Sequence, residues 1–366
     1  MKLKKIATFL IATCTLLMGV AAEEKSVTNG VAWTDTNGNV IQAHDTVVKY
    51  GSKYYWYGLD YSQEAAVGDG TGFMAVKCYE SEDLVNWTWK SDVLTKQTDD
   101  RFYGMGNVFY PQVVYNKSTK MFVMWMGTSN GPLVAVSDKP YGNFHIHDTY
   151  VTTSSGSIIN SVFVDDDGAA YLSAYVWEDL AVDAPKLYVY RLTDDYLEIR
   201  KEWNSWGDIY SISFDNRAIG RSKIIKHKGV YYLIFADYGT LISGASSSSL
   251  SYTGLTWYDF VGGSYTYQGV KWAYANSLYD EWSGVNSFEN TSTSYEFSTL
   301  IAVQGEEGTS YIASFNGWDS SDMSNSTYTW QPLQWDDSKF SNMDVPYIGD
   351  YSSIVIDAKK GTVKGN

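Results

Sequence analysis

The stretch NRAIGRSKIIKHKGVYYLIFADYG, residues 216–239, sets the architecture, because it reads as two β-strands joined by a tight turn. Its second half, Val230 to Asp237, is almost wholly apolar and aromatic, the composition of a buried strand. The same signature recurs along the chain: an apolar strand, a turn with Gly or Lys, then an aromatic strand. Upstream it appears as DTVVKYGSKYYWYGLD from Asp45, PQVVYNKSTKMFVMWMGTS from Pro111 and SVFVDDDGAAYLSAYVW from Ser161. Downstream it returns once, as STLIAVQGEEGTSYIASFNGW from Ser298.

A more polar strand pair follows each copy, as in AVKCYESEDLVNWTWKSDVL from Ala75, LVAVSDKPYGNFHIHDTYV from Leu133 and KLYVYRLTDDYLEIRKEW from Lys186. The interval of roughly 50 to 77 residues accommodates four strands per unit, and no 3.6-residue periodicity supports a helical repeat. Five four-stranded units close radially into an all-β, five-bladed β-propeller, which protects sheet edges that would otherwise pair with other chains. VAWTDTNGNVIQAH (residues 31–44) and DYSSIVIDAKKGTV (350–363) are expected to complete the last blade together. No linker separates the units, and the Ser-rich SGASSSSLSYTG from Ser243 is short enough to be a loop. The expectation is one domain over residues 23–366. Inner strands of a propeller converge on a central channel, so functional groups should lie at the starts of the five copies.

The chain opens MKLKKIATFLIATCTLLMGVAAEEKSV: three lysines, an apolar run from Ile6 to Val20, then small residues at Ala21 and Ala22. That order reads as a secretory signal peptide over residues 1–22, cleaved between Ala22 and Glu23, and the run falls short of the ~20 residues that span a bilayer core. The product is expected to be secreted, extracellular and monomeric, with no membrane attachment. Cleavage removes Cys14 and leaves Cys78 alone, so neither an intrachain disulfide nor a thiolate metal cluster can form. Losing Lys2, Lys4 and Lys5 takes the formal charge from −15 to about −18. Such an acidic surface, without a basic stripe, excludes nucleic acid and anionic membrane and leaves neutral glycans open as ligands. The 14 Trp and 31 Tyr suit sugar stacking and an all-β core equally. Four Asn-X-Ser/Thr sequons, at Asn86, Asn116, Asn290 and Asn325, would be glycosylated turns in a eukaryotic secreted chain.

Several segments together carry a resemblance. IQAH and YYWYG (Ile41–His44, Tyr54–Gly58), CYESEDLVNW (Cys78–Trp87), VVYNKSTKMFVMWM (Val113–Met126), VFVDDDGAAYL (Val162–Leu172) and YTWQPLQW (Tyr328–Trp335) are similar to the five-bladed propellers of glycoside hydrolase family 43. Within that family the chain looks most like the exo-β-1,3-galactanase branch, over nearly all of residues 23–366. The resemblance implies a carbohydrate-active protein whose partner is a galactan-like polysaccharide or oligosaccharide. Inverting hydrolysis needs one carboxylic acid to protonate the leaving oxygen and a second group to hold a water on the opposite face, with carboxyls ~6.5–9.5 Å apart. The family generally adds a third carboxylate that tunes the acid.

At the positions the resemblance assigns to these groups, the sequence departs. The acid, six residues before Lys226, falls on Gly220, and the tuning aspartate, four before Phe163, falls on Ile159. The branch's glutamate at the second copy falls on Phe109, and its glutamine near the fifth copy on Phe297. Apolar residues cannot donate a proton, and losing general acid catalysis alone removes ~10²–10⁴-fold in rate. The expected function is therefore glycan recognition by a scaffold impaired as a hydrolase. The alternative is an active exo-acting glycosidase with a relocated acid and base.

Candidates for that relocation are Asp45, near the family's base aspartate once a one-residue gap is allowed, with Asp215, Asp237 and Glu296 near strand ends and Glu178 after Trp177. Asp45 serves equally well as a strand or turn cap, and the other four are expected to be solvated or hydrogen-bonded loop carboxylates. Trp177, Tyr238 and Trp318 follow inner strands and are candidate stacking platforms, with His44 and Tyr110 also at the expected pocket; core packing is their other role. The DDDG run, Asp165 to Gly168, offers oxygens that suit calcium, but Asp and Gly also favour hairpin turns, and the turn is expected. Family members sometimes hold a channel ion near a histidine, here matched only by His44, so no metal or cofactor is expected. A third reading is a surface protein without a glycan ligand, its mouth plugged by Phe109 and Phe297.

Overall fold

The computed structural model describes residues 24–60, 74–99, 108–128, 131–147, 157–176, 186–200, 209–212, 217–240, 267–288, 295–319 and 322–366. The expected signal segment lies outside them. β1 (Lys25–Thr28) is followed by a first four-stranded sheet of β2 (Val47–Tyr50), β3 (Lys53–Leu59), β4 (Ala75–Ser81) and β5 (Thr88–Thr95). The second comprises β6 (Val108–Asn116), β7 (Met121–Thr128), β8 (Leu133–Ser137) and β9 (His145–Ile146). The third comprises β10 (Ser157–Val164), β11 (Ala170–Val176), β12 (Lys186–Arg191) and β13 (Ile209–Ile212). β14 (Arg217–His227), β15 (Val230–Thr240), β16 (Val270–Ala275) and β17 (Asn286–Ser287) make the fourth. β18 (Glu296–Gly305), β19 (Gly308–Gly317), β20 (Thr327–Asp336) and β21 (Val345–Ile348) make the fifth.

The expected count of five blades is corrected by a sixth sheet. β22 (Ser353–Asp357) and β23 (Thr362–Gly365) form it with β1, in the order β1-β22-β23, so the described residues make a propeller of six sheets with three or four strands each. The expectation that the chain ends complete the last blade fails because β21 already closes the fifth sheet. The amino-terminal partner is also Lys25–Thr28, which pairs antiparallel with Ile356–Ser353, rather than residues 31–44. Asn29 stitches the junction: its amide donates to the carbonyls of Trp330 and Tyr351 at 2.8 and 2.9 Å, and its side-chain oxygen accepts from the Trp330 amide at 2.8 Å.

Aromatic strands form where predicted because each is packed on both sides. Tyr54–Leu59 of β3 and Phe122–Thr128 of β7 are buried throughout, since neighbouring sheets cover both faces and a continuous apolar run replaces alternation. Tyr57, Cys78, Phe122 and Met124 fill the space between the first and second sheets. Tyr54, Trp56, Ile301, Trp330, Ile354 and Ile356 share one cluster, which places the sixth sheet against the fifth and first. The β14–β15 turn is Lys228–Gly229, with φ of 48° and 84°, the two left-handed residues that suit the twist of a two-residue hairpin. DDDG is a hairpin turn, with the Gly168 amide donating to the Asp165 carbonyl at 2.9 Å. The Asp165 carboxylate accepts from Lys226 and the Tyr231 hydroxyl at 2.9 and 2.5 Å, which ties the third sheet to the fourth.

Candidate functional site

The inner strands β2, β6, β10, β14 and β18 are neighbours in turn around the axis, with β18 meeting β2. Four of them slip register near their starts, between Phe109 and Gln112, Ile159 and Ser161, Gly220 and Lys223, and Phe297 and Thr299. Such bulges re-aim side chains and concentrate beside functional sites. In β14 Gly220 pairs with Ala236, and the bulge after it carries Arg221 at φ 48°. In β6 the bulge carries Tyr110 at φ 46°.

These distortions converge on the Arg221 guanidinium, which is nearly buried. It lies 4.3 Å from the centre of the Tyr110 ring and 5.8 Å from that of Trp318. Arg221 Nη1 is 3.8 Å from Asp45 Oδ1, and Nε is 3.4 Å from Glu296 Oε1. Glu296 also accepts from the Tyr238 hydroxyl at Oε1 and from Trp318 Nε1 at Oε2, the latter at 2.5 Å. Beside this group Lys223 Nζ donates to Gln112 Oε1 at 2.5 Å.

Burial governs the charges. It pushes the Asp45 carboxyl up to about 6, against the pull of Arg221 and Lys223. The same effect, with repulsion from Arg221, brings the Lys223 amine down to about 7 although Asp45 opposes it. Burial also lowers the His44 imidazole to about 4, so it is neutral at neutral pH. His44 Nδ1 donates to Asn316 Oδ1 at 3.0 Å, its ring stacks on Tyr328 with centroids 4.4 Å apart, and its backbone carbonyl accepts from Ser298 Oγ.

The structure thus brings together Asp45, Glu296, Tyr110, Tyr238 and Trp318, with His44 behind Trp318 at 4.8 Å between ring centres. Asp237 is fully buried but holds Arg217 at 2.5 Å, and its other oxygen accepts from the Gly239 amide at 2.9 Å. Ile159 and Phe297 do not face the axis: Ile159 packs with Val123, Trp125 and Leu172, and Phe297 with Phe315 and Ala313. Glu296, one residue before Phe297, is the side chain in the cluster. Phe109 is described only as a β6 backbone partner of Gly127, and Trp177, Glu178 and Asp215 lie outside the described residues. Sequence reasoning missed Arg221, Lys223, Gln112 and Asn316; the signal was RSK, two cations within an otherwise apolar strand. Among the described residues no group of three or more His, Cys, Asp or Glu is placed to hold a metal, and no helix is long and apolar enough to cross a membrane.

The family model for glycosyl hydrolases family 43 matches residues 38–337, from just ahead of β2 to the end of β20. No curated protein matches the chain. Among solved structures, an exo-β-1,3-galactanase from Clostridium thermocellum is similar at 28% identity and a TM-score of 0.68, over 93% of this chain and 68% of that one. An exo-β-1,3-galactanase from Phanerochaete chrysosporium, solved with β-1,3-galactotriose, aligns at 25% identity and a TM-score of 0.66, over 93% and 70%. With repeats, propeller and family model agreeing over most of its length, this chain belongs to glycosyl hydrolases family 43 and within it resembles the exo-β-1,3-galactanases.

Proposed function

We propose that the protein is a secreted propeller that recognises galactan-like glycans at its axial cluster and is impaired as a hydrolase. One observation carries this reading: β14 presents Gly220 and then Arg221, whose guanidinium sits between Asp45 and Glu296. A guanidinium keeps its proton at every physiological pH, so it can hold a sugar oxygen but cannot protonate a leaving group. Both Glu296 oxygens already accept, from Tyr238 and Trp318. The Tyr110 and Trp318 rings beside Arg221 supply apolar faces of the kind that stack on sugars. The relative solved with β-1,3-galactotriose supports the choice of glycan. The test is a hydrolysis screen on β-1,3-galactan, arabinan and xylan run beside a binding assay on the same sample. Galactan binding without release of reducing ends is expected; robust turnover abolished by Asp45→Ala or Asp237→Ala would overturn the reading.

A second reading, an exo-acting glycosidase with a relocated acid, is favoured by one feature. Burial raises Asp45 to about 6, the direction a general acid requires. It predicts measurable hydrolysis whose pH–rate profile falls through about 6 and loses that limb in Asp45→Asn.

A further inference from the structure

The geometry points to a saccharide bearing an anionic group, a non-reducing-end uronic acid, as the ligand selected by Arg221, Asn316 and Lys223. This rests on the glycan-binding reading above and names its substrate class. Two basic side chains sit in one nearly closed site, Arg221 at 7% exposure and Lys223 at 8%. Arg221 Nε makes no hydrogen bond, although Glu296 lies at ion-pair distance. Asn316, 1% exposed, gives its side-chain oxygen to His44 and leaves Nδ2 without an acceptor. Asn316 is the direct cross-strand partner of Glu296, so both orphan donors belong to the same cluster.

Buried donors left unmade are costly, and a buried cation without full hydrogen bonding more so. A neutral hydroxyl would accept from one of them. A planar carboxylate can take two guanidinium N–H groups at once, with the stronger hydrogen bonds of a charged pair. Such an anion replaces the imperfect ion pairs that Asp45 and Glu296 offer at 3.8 and 3.4 Å. The charged and titratable groups facing Arg221 are His44 and Asp45 before β2, Tyr110 on β6, Lys223 on β14, Tyr238 on β15, Tyr267 before β16 and Glu296 on β18. Burial raises the Asp45 carboxyl to about 6, and the Lys223 amine, lowered to about 7, gains its proton over the same range. Protonation of Asp45 would release Arg221 to the ligand, so affinity should rise as pH falls toward 6. The acidic surface opposes anions only at long range, and its field is screened within ~8–10 Å at physiological salt.

The experiment is isothermal titration of the full chain with three trisaccharides: neutral β-1,3-galactotriose, the same chain ending in glucuronic acid, and one ending in galactose 6-sulfate. The uronate is expected to bind at least ~10-fold tighter than the neutral sugar, with the gap widening from pH 7.5 to 5.5. Arg221→Gln and, separately, Lys223→Met should abolish the gap while thermal unfolding confirms that each variant is folded; the wild-type comparison stands even if a variant does not fold. Equal or tighter binding of the neutral sugar overturns the inference and leaves the glycan-binding reading intact. A sulfate ester binding as tightly as the uronate overturns the carboxylate assignment. Binding of none of the three overturns both readings.

Discussion

His44 and Asp45 are adjacent, both buried, and titrate in opposite senses. The fold favours protonated Asp45, so that contribution to stability is full below 3.8 and is lost as pH rises through about 6. It favours neutral His44, whose contribution is full above 6.5 and is lost as pH falls through about 4. Between these limits the two oppose each other. Urea unfolding across pH 4 to 6 should therefore show stability rising with pH in Asp45→Asn, falling in His44→Gln, and a flatter response than either in the parent chain. Asp237 tests a different term. Its carboxylate is wholly buried on Arg217, which is 30% exposed. Arg217→Ala should cost about 3 kcal/mol in chemical denaturation by leaving a buried charge unpaired, and adding Asp237→Asn should recover much of that loss.

Hairpins and bulges explain which parts of the site were legible. Counting by motif led to Phe297 and Ile159, both of which lie in the packing between sheets. Side chains alternate with a period of two, so a one-residue slip exchanges axis and core, and each of these strands slips beside the residue in question. Bulge positions follow from packing against neighbouring strands and leave little trace in composition. Glycines test the junctions directly. Gly38 and Gly361 both have positive φ, 85° and 81°. A Cβ on Gly38 would meet nothing within 4 Å, whereas one on Gly361 would stand 2.3 Å from the Gly308 carbonyl oxygen and 2.5 Å from the Gly305 amide nitrogen. Gly38→Ala should cost about 1 kcal/mol. Gly361→Ala should cost more than about 2, because the β22–β23 turn must also lift from the β18–β19 turn. Parallel thermal melts of the two variants check the order.

The packing between the fifth and first sheets depends on both ends of the chain. Truncation after Gly349 would remove β22 and β23, strand β1 without a partner and uncover Trp56, Ile301, Val303 and Trp330. Such a variant should lose cooperative unfolding and appear as aggregate on size exclusion, whereas removal of Asn366 alone should not. By itself the amino-acid sequence determined the all-β class, the five hairpin copies and the family, because those signals join residues a few positions apart and repeat. Only the tertiary structure decided the sixth sheet, where Lys25 pairs with Ile356, and the Arg221 cluster, which gathers Asp45 beside the first sheet, Tyr110 from the second and Glu296 and Trp318 from the fifth. Pairings so distant along the chain are selected by packing and closure, and local propensity carries no record of them.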